Sequence, residues 1–551
     1  MDKNNLPNVA YFCMEYALDS AIKTYAGGLG ILAGDYMKGA GDNNYPMVGL
    51  GIKWKQGYTD QYINEKGKAY DSYVNTDYED CLEDTGVTVN VTIRERKVYC
   101  KVWKVNKFGV CPLYLLDTDI PENEDTWICG QLYGWFGEER IAQEMVLGIG
   151  GVRALRVLGY PAEVYHFNEG HAVFAGFELL REKIEKGFSF KEAYEATRKE
   201  VVFTTHTPII QGNESHPIDR LMYMGANNGL TIEQLVEIGG APFNMTVAAL
   251  RLSKITNGVA QLHKETSNKM WAHIEDASKI IGITNAIHLP TWVGEEMLKL
   301  GKELAQGYTT SDINNRLWNA HIKNKEALID FVYERNGVKL DKDKLLIGFS
   351  RRAAPYKRSN LIFSDKKVIE PLLKSGKIQI VFSGKAHPLD DTGKEIVQTI
   401  VRFSKEYPNS VVFLQNYDMA IGRMLTNGSD VWLNNPRRPL EASGTSGMKA
   451  AINGVLNLSI LDGWWPEACR EEINGWSFGD GKGVDDFTTL DELDNHDLKS
   501  LYDVLLNKVI PTYYDYRDKW IEMMKSSIVD CREFFAIERM LREYYELMYM
   551  V

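Results

Sequence analysis

The segment Leu433–Trp465, LNNPRRPLEASGTSGMKAAINGVLNLSILDGWW, reads in order as strand, loop, helix and strand. Two short apolar runs, Val431–Asn434 and Val455–Ile460, flank the small-residue loop Ala442–Gly447 and a helix predicted to start near Met448. Two strands joined through a helix make the crossover unit of a parallel sheet. The same alternation continues outward. Val411–Leu414, Ile378–Ser383, Leu345–Phe349, Val201–Thr205, Val164–Phe167 and Val9–Cys13 are further strand candidates separated by longer helical patterns, so the chain is predicted to be α/β. Many of these runs are followed by Gly, His, Asn or Arg, at the carboxyl ends of strands, where open α/β sheets place their ligands.

At 551 residues the chain exceeds what one core supports, and two or more domains are expected. The predicted division is a first lobe over 1–260, a second over 261–515 and a carboxyl-terminal helix over 516–551 that packs back on the first lobe, with the main break between Asn257 and Thr291. Residues 84–118, with TGVTVNVTIRERKVYCKVWKV, alternate with a period of two and predict antiparallel strands forming a small inserted β subdomain. A charged fraction of 25%, a hydrophobic fraction of 44% and no apolar run near the ~18 residues of a span argue against a membrane protein. The stretch MDKNNLPNVAYFCMEYALDS lacks the regions of a secretory leader, so a cytoplasmic location is expected. The 7 cysteines are scattered and form no CxxC pair, which fits reduced thiols better than disulfides or zinc, and no metal is predicted. A net charge of -12 argues against nucleic acid as a partner, while a local basic cluster can still hold an anion.

The loop Ala442–Gly447 places backbone N–H groups and a positive helix end where they could face a phosphate, and Lys449 is expected in the first helical turn. A lysine there can form a Schiff base with an aldehyde whose phosphate the loop holds, which describes a pyridoxal phosphate site. Such loops also serve ordinary turns, and a lone lysine is commonly a solvated charge. In Leu345–Asn360, LLIGFSRRAAPYKRSN, a strand ends at Arg351-Arg352 and continues to Tyr356-Lys357-Arg358. These four cations suit two phosphate groups held close together, or else a solvated basic loop. In Lys23–Ala40, KTYAGGLGILAGDYMKGA, Gly27, Gly28 and Gly30 allow close approach of a phosphate, although the dinucleotide pattern GxGxxG is incomplete. His206, in VVFTTHTPIIQGNESHP, follows a strand and could bond a sugar hydroxyl or the backbone. Asn168, Glu169 and His171 in YHFNEGHAVF hold a similar place, compatible with substrate contact or helix capping.

Taken together, EASGTSGMK, the RR…YKR strand end, GGLG and THTP resemble, in type and in chain order, the elements of the glycogen and maltodextrin phosphorylase family. The resemblance runs from about Tyr11 to Trp476 and points to a short form of that family. It implies a glycosyltransferase fold of two Rossmann-like lobes facing a cleft. It implies phosphorolysis of α-1,4-glucans such as glycogen, starch or maltodextrin from the non-reducing end, giving α-D-glucose 1-phosphate with retention. The cofactor implied is pyridoxal 5'-phosphate bonded to Lys449, with Gly444, Thr445, Ser446 and Arg351 holding its phosphate and Tyr11 a weaker match beside it. Gly28, Arg352 and Lys357 match the positions for substrate phosphate; Leu29, His206, Asn257, Glu441, Ser443 and Gly444 match those for the glucosyl unit. Arg352, Lys357, His206 and Glu441 are the implied catalytic residues. The cofactor's phosphate would act as proton donor and acceptor, since a phosphate monoester has a second pKa of about 6 and can serve as a carboxylic acid does in glycosidases. The implied partners are inorganic phosphate, the glucan and a second copy in a homodimer, with little control by AMP or phosphorylation. The chain departs from the pattern of the large enzymes in having Ser446-Gly447 for Gly-Asn, Arg351 for Lys and Ala26 for Asn. A nucleotide-sugar glycosyltransferase resembling glycogen synthase is the alternative, and it would not need Lys449.

Overall fold

The computed structural model describes residues 5–308 and 311–551; Met1–Asn4, at the head of the stretch read for a leader, lie outside them. The chain is a mixed α/β protein built on two large sheets. The first uses nine strands: β1 (Val9–Phe12), β2 (Met47–Ile52), β3 (Leu82–Ile93), β4 (Arg96–Val105), β5 (Leu113–Asp117), β6 (Val164–Asn168), β7 (Val201–Thr204), β8 (Ile255–Gly258) and β9 (Lys279–Gly282), in the order β9-β8-β7-β6-β1-β2-β5-β4-β3. Pairing is parallel from β9 to β5 and antiparallel where β4 and β3 extend the edge. Register sets the polar ends side by side: Asn168 lies opposite Thr204, and Thr204 opposite Asn257.

The second sheet has six parallel strands: β10 (Leu345–Ser350), β11 (Ile378–Ser383), β12 (Val411–Leu414), β13 (Val431–Asn434), β14 (Leu456–Ile460) and β15 (Gly475–Phe478). Their order β12-β11-β10-β13-β14-β15 reverses direction between β10 and β13. At such a switch point the two adjoining connections leave in opposite directions and open a crevice at the strands' carboxyl ends. Val381, Val412, Trp432, Ala450 and Val455 share one buried cluster across this sheet and its helices. The start of β13 is secured by Asp430, which is fully buried and accepts from Lys325 Nζ at 2.6 Å, His321 Nε2 at 2.8 Å and the Leu346 N–H at 2.8 Å. A buried carboxylate is tolerated there because its oxygens are paired.

All eight predicted strands form within a residue of their expected bounds, and four expectations are corrected. The alternating region of 84–118 is no separate subdomain: β5 pairs with β2, and Val89, Val91, Ile93, Val98, Cys100 and Val102 enter the same core as Phe12 and Leu50. Its apolar face had to be buried somewhere, and the main sheet's edge buries it. The helix expected from 516 onward is two, Arg517–Arg532 and Ile537–Tyr544, because Ala536 bridges to Ile287 and Ile287 accepts the Ile537 N–H at 3.0 Å. The helix predicted near Met448 starts at Thr445, which puts Lys449 in its second turn.

The chain forms two compact units, one of residues up to Thr59 with Tyr73–Thr284 and Met540–Val551, the other of Asp60–Ser72 with Asn285–Arg539. The stretch 261–284, expected in the second lobe, thus carries β9 of the first sheet. The hairpin Asp60–Ile63/Ala69–Ser72 belongs to the second unit, where Gln61 exchanges bonds with Ala386 at 2.8 and 3.0 Å and Asp71 pairs with Lys394 at 2.6 Å. All 7 cysteines are unpaired, and among the described residues no helix is long and apolar enough to cross a membrane.

Candidate active site

In the second unit, the loops leaving β10 and β13 meet at the switch point. Arg358, at a left-handed φ of 51°, ties them together: its guanidinium donates to the carbonyls of Asn435 and Pro436 at 2.8 Å and pairs with Asp494 at 2.9 Å and Asp497 at 2.8 Å. It is therefore a structural cation, and only three of the four basic residues of this loop remain for an anion. Arg351 and Lys357 both donate to Oε2 of Glu441, Lys357 at 2.6 Å. Glu441 is buried, which by itself would raise its pKa, but Arg351 and Lys357 outweigh burial and hold the carboxyl below the usual range. Two unit charges ~4 Å apart repel by about 4 kcal/mol at an effective dielectric of 20, so two cations on one carboxylate oxygen leave a net positive place for a further anion. Arg352 is exposed at its edge and adds to that field.

Behind Glu441, Asp462 accepts the N–H groups of Glu441 at 2.9 Å and Gly463 at 2.8 Å, and burial pushes its carboxyl up to about 7. Gly444, at φ 85°, turns the chain into α2, the helix Thr445–Ile452; a side chain there would be strained in this left-handed conformation. The Trp432 indole N–H donates to Ser446 Oγ at 3.2 Å, which leaves the Ser446 proton to be donated elsewhere. Ser443 Oγ is buried with no hydrogen-bond partner. Lys449 is buried, its Nζ 3.3 Å from the centre of the Trp292 ring.

In the first unit, α1 (Gly28–Asp42) starts at the glycine loop with no capping side chain of its own. Glu15 takes that place: Oε2 accepts the N–H groups of Ala26 at 2.6 Å and Gly27 at 3.0 Å, while Tyr133 donates to Oε1 at 2.9 Å. The space beside Gly28 is open, with no atom within 4 Å of a Cβ placed there. His206 follows β7; its N–H is held by Glu169 at 2.8 Å and its Nε2 lies 2.6 Å from Asn168 Oδ1. Since Asn168 donates its amide to Cys13, its Oδ1 accepts, so His206 Nε2 carries the proton and Nδ1 the lone pair. Desolvation lowers the His206 pKa to about 3, and the ring is neutral near pH 7.

Comparison with known proteins fits this geometry. A family model for carbohydrate phosphorylases matches residues 241–492. The maltodextrin phosphorylase of Thermococcus litoralis is 40% identical, over 98% of this chain and 70% of its own length, and the glycogen phosphorylase of Aquifex aeolicus is 36% identical, over 98% and 86%. The chain belongs to the carbohydrate phosphorylase family. An uncharacterized protein of Methanocaldococcus jannaschii, 36% identical, matches this family member over 98% of the chain and 99% of its own length.

Of the residues that sequence reading selected in this family member, the structure gathers Arg351, Arg352, Lys357, Glu441, Ser443, Gly444, Thr445, Ser446 and Lys449 around one switch point. Gly28, Leu29 and His206 stand at the carboxyl ends of the first sheet. Two selections, Asn257 and Tyr11, lie inside the first unit. Asn257 is fully buried and its amide is spent internally: Oδ1 accepts from Thr204 at 2.6 Å, and Nδ2 donates to Tyr544 at 2.9 Å and Gly258 O at 3.1 Å. Tyr11 is a core residue whose ring packs against His166 at 4.8 Å and Tyr36 at 5.1 Å. Conversely, Glu15, Asp462 and Trp292 escaped notice. Nothing in the isolated strings YFCMEYALDS or LPTW marks them, because their partners are distant in sequence.

Proposed function

We propose that this family member is an α-glucan phosphorylase, which cleaves the terminal α-1,4 bond at the non-reducing end of glycogen, starch or maltodextrin with inorganic phosphate and releases α-D-glucose 1-phosphate with retention. The observation that carries the reading is the pair of cations, Arg351 and Lys357, on one oxygen of Glu441 beside the Gly444 loop, in a chain with phosphorylase relatives along its whole length. The reading includes a fold of two Rossmann-like lobes. A nucleotide-sugar synthase is not favoured, since the relatives are phosphorylases.

Pyridoxal 5'-phosphate is the cofactor that this chemistry calls for, and the residues present fit it. The Lys449 side chain is buried with its Nζ against an indole face, and Ser443 Oγ is a buried hydroxyl lacking a partner, the first on and the second just before an eight-residue helix entered through a left-handed glycine. Lys449 would be its attachment point, with Gly444, Thr445, Ser446 and Arg351 around its phosphate. When bound, it supplies a phosphate whose second pKa of about 6 lets it give and take a proton near neutrality.

The chain's own residues do the rest. Arg352 and Lys357 hold the substrate phosphate and offset its charge, and the open start of α1 at Gly28 carries backbone N–H groups of the kind that suit an anion. Glu441 keeps Arg351 and Lys357 in place and accepts from a sugar hydroxyl. Neutral His206 presents an Nδ1 lone pair to a hydroxyl, and Leu29 bounds the glucosyl unit. In the reaction the bond from C1 to the glycosidic oxygen breaks, that oxygen leaves as the 4-hydroxyl of the shortened glucan with one proton, and a phosphate oxygen bonds to C1. Fixed cations aimed at that phosphate stabilise the developing charge without reorganising. The test is incubation of the purified protein with inorganic phosphate and maltooligosaccharides of graded length, assayed for glucose 1-phosphate. Release that depends on phosphate is expected, and its absence after loading with pyridoxal phosphate would sink the reading.

A further inference from the structure

A second polar cluster lies in the first unit, outside the groups used above. Glu144, His171 and Glu214 each place one ligand-type atom within 4.8 Å of the others, and His171 Nε2 stands 4.0 Å from Glu214 Oε2. Glu144 is fully buried; its Oε1 meets no hydrogen-bond donor of another residue type, its carboxyl lies within hydrogen-bonding reach of that of Glu214, and the buried Nδ1 of His171 has no partner. Arg140 offsets one charge here, so two carboxylates brought this close cannot both be ionised at low cost without a further cation or a shared proton. Burial raises both carboxyl pKa values, and the neighbouring Glu144 raises that of Glu214 further.

We infer that Glu144, Glu214 and His171 form a binding site for one divalent cation of the zinc type. Two carboxylates and one imidazole are a three-ligand set that leaves a fourth position open, and the side chains of His171 and Glu214 are 15% and 21% exposed, which gives an ion a way in. The surrounding groups orient the ligands. His216 Nε2 lies 3.2 Å from Glu144 Oε2, and Arg140 Nη1 lies 3.4 Å from Glu214 Oε2, so each carboxylate has an outer partner. Bonds of about 2.0–2.2 Å need ligand atoms about 3.4 Å apart, so the pocket contracts slightly on binding. The sequence places these ligands on three separate stretches: Glu144 on a helix over Glu138–Met145, His171 in the short 3-10 helix Gly170–Ala172 after β6, and Glu214 beyond β7. A cation there would join them and brace the loop that carries His206. The site does not depend on the phosphorylase reading, because its test reads metal and not turnover.

The experiment titrates the full chain with Co2+, following its visible absorption, and with Zn2+ by calorimetry, alongside Glu144→Gln and Glu214→Gln. One saturable Co2+ per wild-type chain with a four-coordinate spectrum is expected. Either substitution should weaken it by at least about 100-fold, and His216→Phe by about 10–100-fold, the range for an outer partner. Both glutamine variants keep side-chain volume, and circular dichroism checks that each is folded, so one folded variant suffices for the comparison. Wild-type protein that takes up no Co2+, or uptake that Glu144→Gln and Glu214→Gln leave unchanged, would overturn the inference and leave a proton-sharing carboxyl pair.

Discussion

Glu441 shows how much rests on a single side chain, because two buried cations share one of its oxygens. Glu441→Gln keeps the shape and removes the charge, so Arg351 and Lys357 are left facing each other; breaking a buried pair in this way costs about 3–5 kcal/mol. The sign with pH follows from its lowered pKa. The unfolded chain takes up the proton first, so the stabilisation is complete above the ordinary value of about 4.3 and is lost as the pH falls through the lower folded value. Urea midpoints of wild type and variant should therefore differ widely at pH 7 and converge in acid; equal midpoints at pH 7 would refute the pairing. Lys449 carries the complementary prediction. Lys449→Ala should remove the absorbance of bound pyridoxal phosphate and lower phosphorolysis by more than about 10³-fold, the scale on which an acid–base group acts. Retained glucose 1-phosphate release would reject the assignment.

Among the elements, α2 has little freedom at its start. A Cβ on Gly447 would lie 2.7 Å from Asn457 Oδ1 and 2.8 Å from the Trp464 ring, both buried, so Gly447→Ala must push the helix start away from β14. Overpacking of this kind costs about 1–3 kcal/mol, and because Ser446 and Lys449 ride on the same helix, pyridoxal phosphate affinity should fall with the melting temperature. A fall in melting temperature with unchanged affinity would show that the helix start does not position the cofactor. The strands were legible because β10 to β14 are short, mostly apolar runs between helices, and a run buried on both faces announces itself. β2, MVGLGI, and β8, ITNG, were missed: glycine and a polar end hide a strand whose burial depends on its neighbours. The site was legible where chemistry is written in adjacent residues, as in Arg351-Arg352 and Gly444–Lys449. It was illegible where one side chain serves a distant backbone, as Glu15 does at Ala26 and Gly27, or where a polar residue pairs inward, as Asn257 and Arg358 do.

At the scale of the whole molecule, the chain's last segment closes the first unit through one histidine. Tyr549 Oη lies 2.6 Å from His166 Nδ1, and His166 Nε2 lies 2.7 Å from Thr204 Oγ1, whose proton goes to Asn257 Oδ1 at 2.6 Å. Thr204 must then accept from His166 Nε2, so Nδ1 accepts from Tyr549, and Tyr549 in turn accepts from Tyr36 at 2.7 Å. The chain of bonds works only with a neutral ring. Burial lowers the His166 pKa to about 3, below the ordinary value of about 6.5, and a proton on Nδ1 would face the Tyr549 hydroxyl donor to donor. The unfolded chain binds that proton first, so the contribution of His166 is complete above about 6.5 and drains away as the pH falls toward about 3, by about 1.4 kcal/mol for each pH step of one between those values. His166→Gln keeps one donor and one acceptor but cannot titrate. Melting temperatures taken from pH 7 to pH 4 should fall more steeply for wild type than for this variant, and limited proteolysis should release the end near Tyr549 first in acid-treated wild type. Parallel melting curves over that range would mean that the segment Met540–Val551 is held by its tyrosine packing alone, without the proton-sensitive bond.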